Sequence, residues 1–339
     1  MRSDPGGVTR PVRHGLSPRT KVGFLGVAGL VFLGALSLAT SAQAATRFVN
    51  SNTGSNVGDC TNPATPCKTI TYALTQAAAN DTIQIAAGTY DNTVNGELFP
   101  LVIAVNLTLT GAGAPTTIID ADGTARVITV NGGVTVAISG VTITDGAVSC
   151  GSVGCSAQGG GLFNNGTLTL TNVTVSGNTA SCGGGGCSAQ GGGLLNFGTL
   201  TLTATIVAKQ LADTDCVNVG TITSNGFNLD SDNTCGLTGT GDKPGVSNPL
   251  LGPLQNNGGP THAHALLPGS PALDMVLSGC PPPDTDQRGV SRPQGTFCDI
   301  GAYELQVTIP TLSEWAQLGM LALLLGGGLF ALRRRVRPA

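Results

Sequence analysis

The chain reads as an all-β solenoid, a parallel β-helix of stacked coils, and three observations predict it. Residues 150–162 and 182–194 are near copies, Cys-GSVG-Cys-SAQGGGL against Cys-GGGG-Cys-SAQGGGL, set 32 residues apart. The likeness runs on through GTLTLTNVTV (166–175) and GTLTLTATIV (198–207). A unit of that length cannot bury its own apolar face, so copies must stack. Second, strand-like segments recur at 81–90, 106–113, 116–123, 125–133 and 134–146. Each alternates Val, Ile or Leu with Thr, Ser or Ala and ends on Gly, Asn or Asp. No helical pattern separates them, which excludes βαβ units. Third, Leu107, Val136, Leu168 and Leu200 align as one ladder with steps of 29, 32 and 32. Asn164 and Asn196 align with them, and stacked asparagines can hydrogen-bond along the axis.

Taken in order, the chain opens on a basic stretch (Arg2, Arg10, Arg13, Arg19, Lys21) and the apolar run VGFLGVAGLVFLGALSLA at 22–39. SAQA follows. Small residues at Ala42 and Ala44 fit a signal-peptidase site with Ala45 as the first mature residue, so 1–44 reads as a signal peptide. The β-helix is expected over 45–212. An open solenoid end exposes an unpaired strand edge, so its first coil needs a cap. From 213 to 304 the repeats fade and Pro and Asp rise. The end, 309–339, carries Thr311 and Glu314 at capping-box spacing. It then runs 18 uncharged residues, 315–332, long enough to span a bilayer. Trp315 fits one membrane interface, and Arg333, Arg334 and Arg335 fit the cytoplasmic end.

Charged residues are only 10% of the chain while glycine numbers 51, a composition that suits short strands and tight turns rather than disorder. The formal net charge of −3 hides a division. Between Ala45 and Ile309, seven Lys/Arg face seventeen Asp/Glu, a formal −10, which argues against nucleic acid as a partner.

Ten cysteines in an exported chain read as disulfides. Their order gives five close pairs: Cys60/Cys67, Cys150/Cys155, Cys182/Cys187, Cys216/Cys235 and Cys280/Cys298. Equivalent cysteines of adjacent coils would stand about 4.8 Å apart, so Cys150–Cys182 and Cys155–Cys187 are alternative rungs. Zinc ligation fits poorly, since Cys-x4-Cys between glycines lacks the usual spacing.

Three resemblances add to this reading. CTNPATPCKTITYALTQAAANDTIQIAAGTY (60–90) resembles the entry to a right-handed parallel β-helix of the pectin-lyase-like superfamily, with 70–78 as its capping helix. NPLLGPLQNNGGPTHAHALLPGSPALD (248–274), DTDQRGVSRP (284–293) and CDIGAYE (298–304) resemble the choice-of-anchor Q domain, which ends many bacterial surface β-helix proteins. Ile309-Pro310-Thr311-Leu312-Ser313-Glu314-Trp315, an apolar helix and an Arg-rich end resemble the IPTL-type C-terminal sorting domain of Gram-negative bacteria. That last resemblance implies a tail handled by an exosortase-like membrane protease.

Candidate chemistry is sparse. Pectin-lyase-like folds often cleave acidic polysaccharides, with a carboxylate-bound calcium cluster and a basic proton abstractor in the lyases and several aspartates in the hydrolases. Asp120-Ala-Asp122 with Arg126 is the best such constellation, because Asp-x-Asp on a strand puts both carboxylates on one face. DADGTAR also reads as a turn between coils, with Asp122-Gly123 supplying the bend, and the turn is the expectation. Asp213/Asp215, Asp230/Asp232 and Asp284/Asp286 repeat the spacing in loops, and calcium favours such oxygens. DSDNTCGLTGTGD (230–242) lacks the glycine and closing acid of an EF-hand loop. His262 and His264 could bind a metal, but His264 belongs to the Q-domain pattern, and a loop hydrogen-bonding role is expected. The glycine runs at 159–161, 183–186 and 191–193 lack the Lys-Ser/Thr of a phosphate loop and read as coil corners.

The expectation is an exported, surface-sorted β-helix with a non-enzymatic adhesion, matrix- or glycan-binding role. No cofactor is expected, and the acidic loops leave room for a structural calcium. The rivals are a polysaccharide lyase or glycoside hydrolase and a ligand-free surface spacer.

Overall fold

The structure, a computed structural model, describes residues 43–111, 117–212, 214–257, 262–276, 284–286, 288–300, 303–306 and 322–324. The sequence expectations for Ala42, Cys280, 309–315 and Arg333–Arg335 lie outside these residues. No helix among them is long and apolar enough to cross a membrane.

Three parallel sheets make the solenoid. A seven-stranded sheet stacks Thr46–Val49, Asp81–Ile85, Leu107–Gly111, Thr135–Ser139, Thr167–Thr171, Thr199–Thr203 and Thr221–Ser224. A six-stranded sheet stacks Gly88–Tyr90, Thr117–Asp120, Thr142–Thr144, Thr174–Val175, Ile206–Val207 and Leu229–Asp230. A five-stranded sheet stacks Leu101–Ile103, Ile128–Val130, Leu162–Asn164, Leu194–Asn196 and Cys216–Asn218. Each full coil passes from the five-stranded to the seven-stranded to the six-stranded sheet. The chain is a parallel β-helix.

The pattern explains the pairing. Alternate residues point inward, and Leu107, Val136, Leu168 and Leu200 are Cα partners in the register of the long sheet. The neighbouring row, Ile83, Leu109, Ile138, Leu170 and Leu202, is fully buried. Each such side chain contributes about 1.5–3 kcal/mol on leaving water. A one-residue slip would turn both rows outward, so register is fixed. In the first coils Asp81 occupies the Leu107 row, and its charge is met by Arg47 at 2.7 Å with both side chains buried.

The asparagine ladder forms inside the coils. Asn164 Nδ2 donates to Asn196 Oδ1 at 2.7 Å, and Asn196 Nδ2 donates to Asn218 Oδ1 at 2.8 Å. At the corner after the long sheet, Asn172 and Ala204 hold φ of 51° and 46° in successive coils.

The helix spans Ile70–Gln76 and buries Ile70 and Ala73 on the first coil. Thr69 caps it by accepting from Tyr72 N. The buried Glu97 carboxylate accepts from Ile70 N and Thr71 N at 2.6 and 2.7 Å, satisfying two more of the unpaired first-turn donors.

Two coils carry a flange where the near-identical copies lie. Ala147–Cys150 pairs with Thr179–Cys182, and Ser156–Gln158 with Ser188–Gln190. Cys150 and Cys182 are partners in register, yet the disulfides close within each loop, Cys150–Cys155 and Cys182–Cys187. Cys60–Cys67 and Cys216–Cys235 are also joined. Cys298 is disulfide-bonded too.

The solenoid runs past residue 212, where the sequence reading ended it. Cys216–Asn218, Thr221–Ser224 and Leu229–Asp230 add a further strand to each of the three sheets. Without a flange the step shortens, Asn196 pairing with Asn218, so the repeat fades while the register persists.

Beyond it, Leu251–Asn256 and His262–Leu266 form an antiparallel hairpin. With Ala272, Val276, Cys298, Ile300 and Tyr303 it builds a second core on Ile206, Ala208 and Leu229 of the six-stranded sheet. The C-terminal chain thus docks on that sheet's outer face.

Candidate functional site

The docked hairpin leaves a crevice beside it. The cavity, of about 450 Å³, lies over the outer face of the six-stranded sheet with Pro253 and His264 as its far wall. Its floor follows the coils. Asp120 ends its strand and pairs in register with Thr144, and Ser176 occupies the same row one coil on. Asp145 follows Thr144 at a corner of φ 49°, with Gly177 (φ 71°) and Lys209 (φ 58°) at the equivalent corners of the next coils. Glycine is required at 177: a Cβ there would stand 2.9 Å from Thr144 Oγ1 and 3.4 Å from Asp145 Oδ1.

The electrostatics are unbalanced. Burial pushes the Asp120 carboxyl up to about 6, and the charges of Asp145, Asp122 and Asp91 add to it. Burial raises Asp145 as well, with the Asp122 charge behind it. Among the described residues neither Asp120 nor Asp145 belongs to an ion pair; those present are Arg47–Asp81, Arg288–Asp286 and Arg292–Glu304. Lys209 also lines the cavity, but its Nζ donates to the carbonyls of Leu251 and Gly252 at 2.6 and 3.2 Å.

His264 sits in a hairpin strand rather than the loop expected. Its Nδ1 lies 2.7 Å from the Gly252 carbonyl oxygen. A carbonyl only accepts, so Nδ1 carries the proton. Burial drops the imidazole to about 4, leaving the ring neutral near pH 7. Its Nε2 and the Ser176 hydroxyl are buried with no hydrogen-bond partner among the described residues. Buried polar atoms are ordinarily paired, so these two mark a place where something else belongs.

The candidate constellation of Asp120, Asp122 and Arg126 does not assemble, and its middle is the turn that Asp122-Gly123 suggests. Asp122 bends away in a turn of φ 52° and accepts from Asn92 N and Thr93 N at 3.0 and 3.3 Å. Arg126 leaves for the five-stranded sheet. It donates to the carbonyls of Gly159 and Gln158 and to Thr129 Oγ1. Its guanidinium lies 4.6 Å over the Phe163 ring. The partner for Asp120 is Asp145, an acid that none of the Asp-x-Asp motifs includes. Aligning TIID (117–120) on TIT (142–144) by their Ile positions would have found it.

The acidic loops divide. Asp213 lies outside the described residues, as does the His262 side chain. Asp215, Asp230 and Asp232 converge with carboxylate oxygens within 4.8 Å of one another, and they form the one such trio among the described residues. Burial, with the Asp232 and Asp230 charges, pushes Asp215 up to about 6. These oxygens are nevertheless met by the chain. Asp230 accepts from Asn233 N, Cys235 N and Gly245 N; Asp215 accepts from Ser231; Asp232 accepts from Asp215 N and Thr234. The trio knits the last coil.

Asp284 is exposed, while Asp286 is buried in a network of the C-terminal motifs. Asp286 pairs with Arg288 at 2.8 Å and accepts from Glu304 N. Arg288 stacks 3.6 Å over Tyr303 and donates to the Glu304 carbonyl. Arg292 donates to the Asp299 carbonyl, and Glu304 accepts from Asp299 N and Gln294 N. DTDQRGVSRP and CDIGAYE therefore interlock as a structural clasp.

No curated protein and no solved structure matches this chain. A family profile described as "Protein of unknown function (DUF1565)" matches residues 51–250, more than half of the sequence, and the chain belongs to that family.

Proposed function

We propose that the protein is exported, sorted to the cell surface and used there as a non-catalytic glycan- or matrix-binding β-helix. The observation that carries the binding is the crevice with the unpartnered Ser176 hydroxyl and His264 Nε2. Export is supported by the apolar run and SAQA of 1–44 and by disulfides, which persist in oxidising compartments. The Ala45 nitrogen also donates to the buried Asp81 carboxylate at 2.7 Å. Cleavage after Ala44 would turn that N–H into an ammonium held by Asp81. Surface sorting rests on the resemblance of 309–339 to an IPTL-type signal, with helix 315–332 holding the precursor in the inner membrane for an exosortase-like protease. The resemblance of 213–304 to a choice-of-anchor Q domain points to the same destination.

Asp120 and Asp145 favour a second reading, a glycoside hydrolase, since two carboxylates over a sugar cleft can serve as acid and base. A lyase is less suited: Arg126 faces elsewhere and Lys209 is engaged by carbonyls. Incubation of the purified protein with a polysaccharide panel separates the readings. Retention on one or more glycans without new reducing ends or unsaturated products supports the binder. Cleavage that Asp120→Asn abolishes in a folded protein establishes the hydrolase. Neither retention nor cleavage leaves the spacer.

A further inference from the structure

We infer that the crevice beside the C-terminal hairpin takes a sugar bearing a free amine, a glucosamine-type unit of a glycan, with its ammonium against Asp120 and Asp145 and its hydroxyls on Ser176 and His264. This rests on the glycan-binding reading and names the ligand chemistry.

The lining is rich in acceptors. With Nδ1 committed to the Gly252 carbonyl, a neutral His264 in the crevice wall keeps a bare, buried Nε2 lone pair. Asp120 and Asp145 add two carboxylates that have no ion-pair partner among the described residues. A ligand that suits such a surface brings hydrogen-bond donors and a positive charge. Burial holds both acids above their ordinary values, with the Asp145 charge adding to Asp120 and the Asp122 charge to Asp145, and a fixed cation beside them would oppose that shift.

A single metal ion does not fit. Among the described residues the only acid trio close enough to share an ion is Asp215, Asp230 and Asp232, on the last coil. The crevice groups are instead spread out. Asp120, Asp145 and Ser176 occupy three successive rungs, about 10 Å end to end at the usual strand spacing, and His264 faces them from the hairpin. A cavity of about 450 Å³ lies within the range of small-ligand sites. Spread acceptors around a local negative charge match a polyhydroxylated frame carrying one ammonium.

The test is titration calorimetry of the full chain at pH 7 with four probes: a glucosamine tetramer, its N-acetylated counterpart, cellotetraose and spermidine. The glucosamine tetramer is expected to bind on the order of tenfold or more tightly than the other sugars, a difference that salt weakens. Asp120→Asn and Asp145→Asn should each erase that preference, and Ser176→Ala should weaken the amino sugar while leaving the variant folded. Equal binding of all three sugars, unchanged by the Asp variants, overturns the inference and leaves the glycan reading standing. Binding of spermidine alone overturns the inference by removing the sugar frame, and the wider polysaccharide panel decides the glycan reading. Binding of no probe overturns the inference, and the wider polysaccharide panel then decides the glycan reading separately.

Discussion

Replacing Asp120 with asparagine should stabilise the protein at neutral pH and not in acid. In the folded chain the carboxyl titrates near 6, against 3.8 for an ordinary aspartate. Between those values the folded state holds a proton that the unfolded state has released. Stability therefore falls as pH rises through the window from about 4 to 6, and the whole penalty is present above it. A shift of about two pK units corresponds to about 3 kcal/mol. Asp120 is only partly buried and its charge is screened by solvent, so about 1–2 kcal/mol is the working value. Asparagine keeps the oxygen that accepts from Asp122 N at 2.8 Å, and it removes the repulsion from Asp145. Urea unfolding of both proteins from pH 4 to pH 8 measures the difference. Asp120→Asn should exceed wild type at pH 8 and converge with it near pH 4. A difference that is flat across this range, or a wild type more stable at pH 8, would refute the account of the crevice as an uncompensated acidic site.

Asn196→Ala should cost about 1–3 kcal/mol, because it removes the ladder acceptor of the buried Asn164 amide, which keeps only the Thr199 carbonyl. Asn218→Ala, at the exposed end of the same ladder, should cost under about 1 kcal/mol, and chemical denaturation reads both. Loss of Cys216–Cys235, which spans 19 residues, should cost about 3 kcal/mol, against about 2 for Cys150–Cys155, which spans 5. Melts of the paired Cys→Ser variants would show the reverse order if the flange loop mattered more. N-terminal sequencing of exported protein should find Ala45 first; a start before Val22 would contradict the processing site.

What was legible in the sequence is what repeats. Leu168 and Leu200, or Asn164 and Asn196, are 32 residues apart because equal coils return to the same rung, and inward positions must stay apolar or self-pairing. The break came where coils are unequal. From Thr144 back to Asp120 the step is 24, and from Asn196 to Asn218 it is 22, so a reader following 32 loses both. A 32-residue spacing therefore does not bring Asp145 to Asp120, and it breaks before the coil of Cys216–Asp230. Arg126 was misplaced for another reason. Its near neighbours in sequence are Asp120 and Asp122, but a corner intervenes, and its guanidinium is drawn to Phe163 and two carbonyls on another sheet. The crevice itself carries no periodic signal, since its far wall comes from Pro253 and His264, which dock sideways on the solenoid.

That docking follows a gradient written along single rows. On the outer face of the six-stranded sheet one row reads Asp120, Thr144, Ser176, Ala208, and its neighbour reads Ile118, Thr142, Thr174, Ile206, Leu229. In the late coils the first row reaches Ala208 and its neighbour reads Ile206 and Leu229, and there the C-terminal core sits. In the early coils the first row turns to hydroxyl and carboxylate, which an apolar cover would desolvate at a cost of several kcal/mol. The cover therefore stops where Ala208 gives way to Ser176. The crevice is the boundary that results, with an apolar wall behind it and two unpaired acids ahead of it. Ser176→Ala, which extends the apolar row, together with Asp145→Gly at the adjoining corner would reduce the polarity that marks this boundary. A site that depends on the boundary loses its ligand in that variant while the coils beneath keep their register.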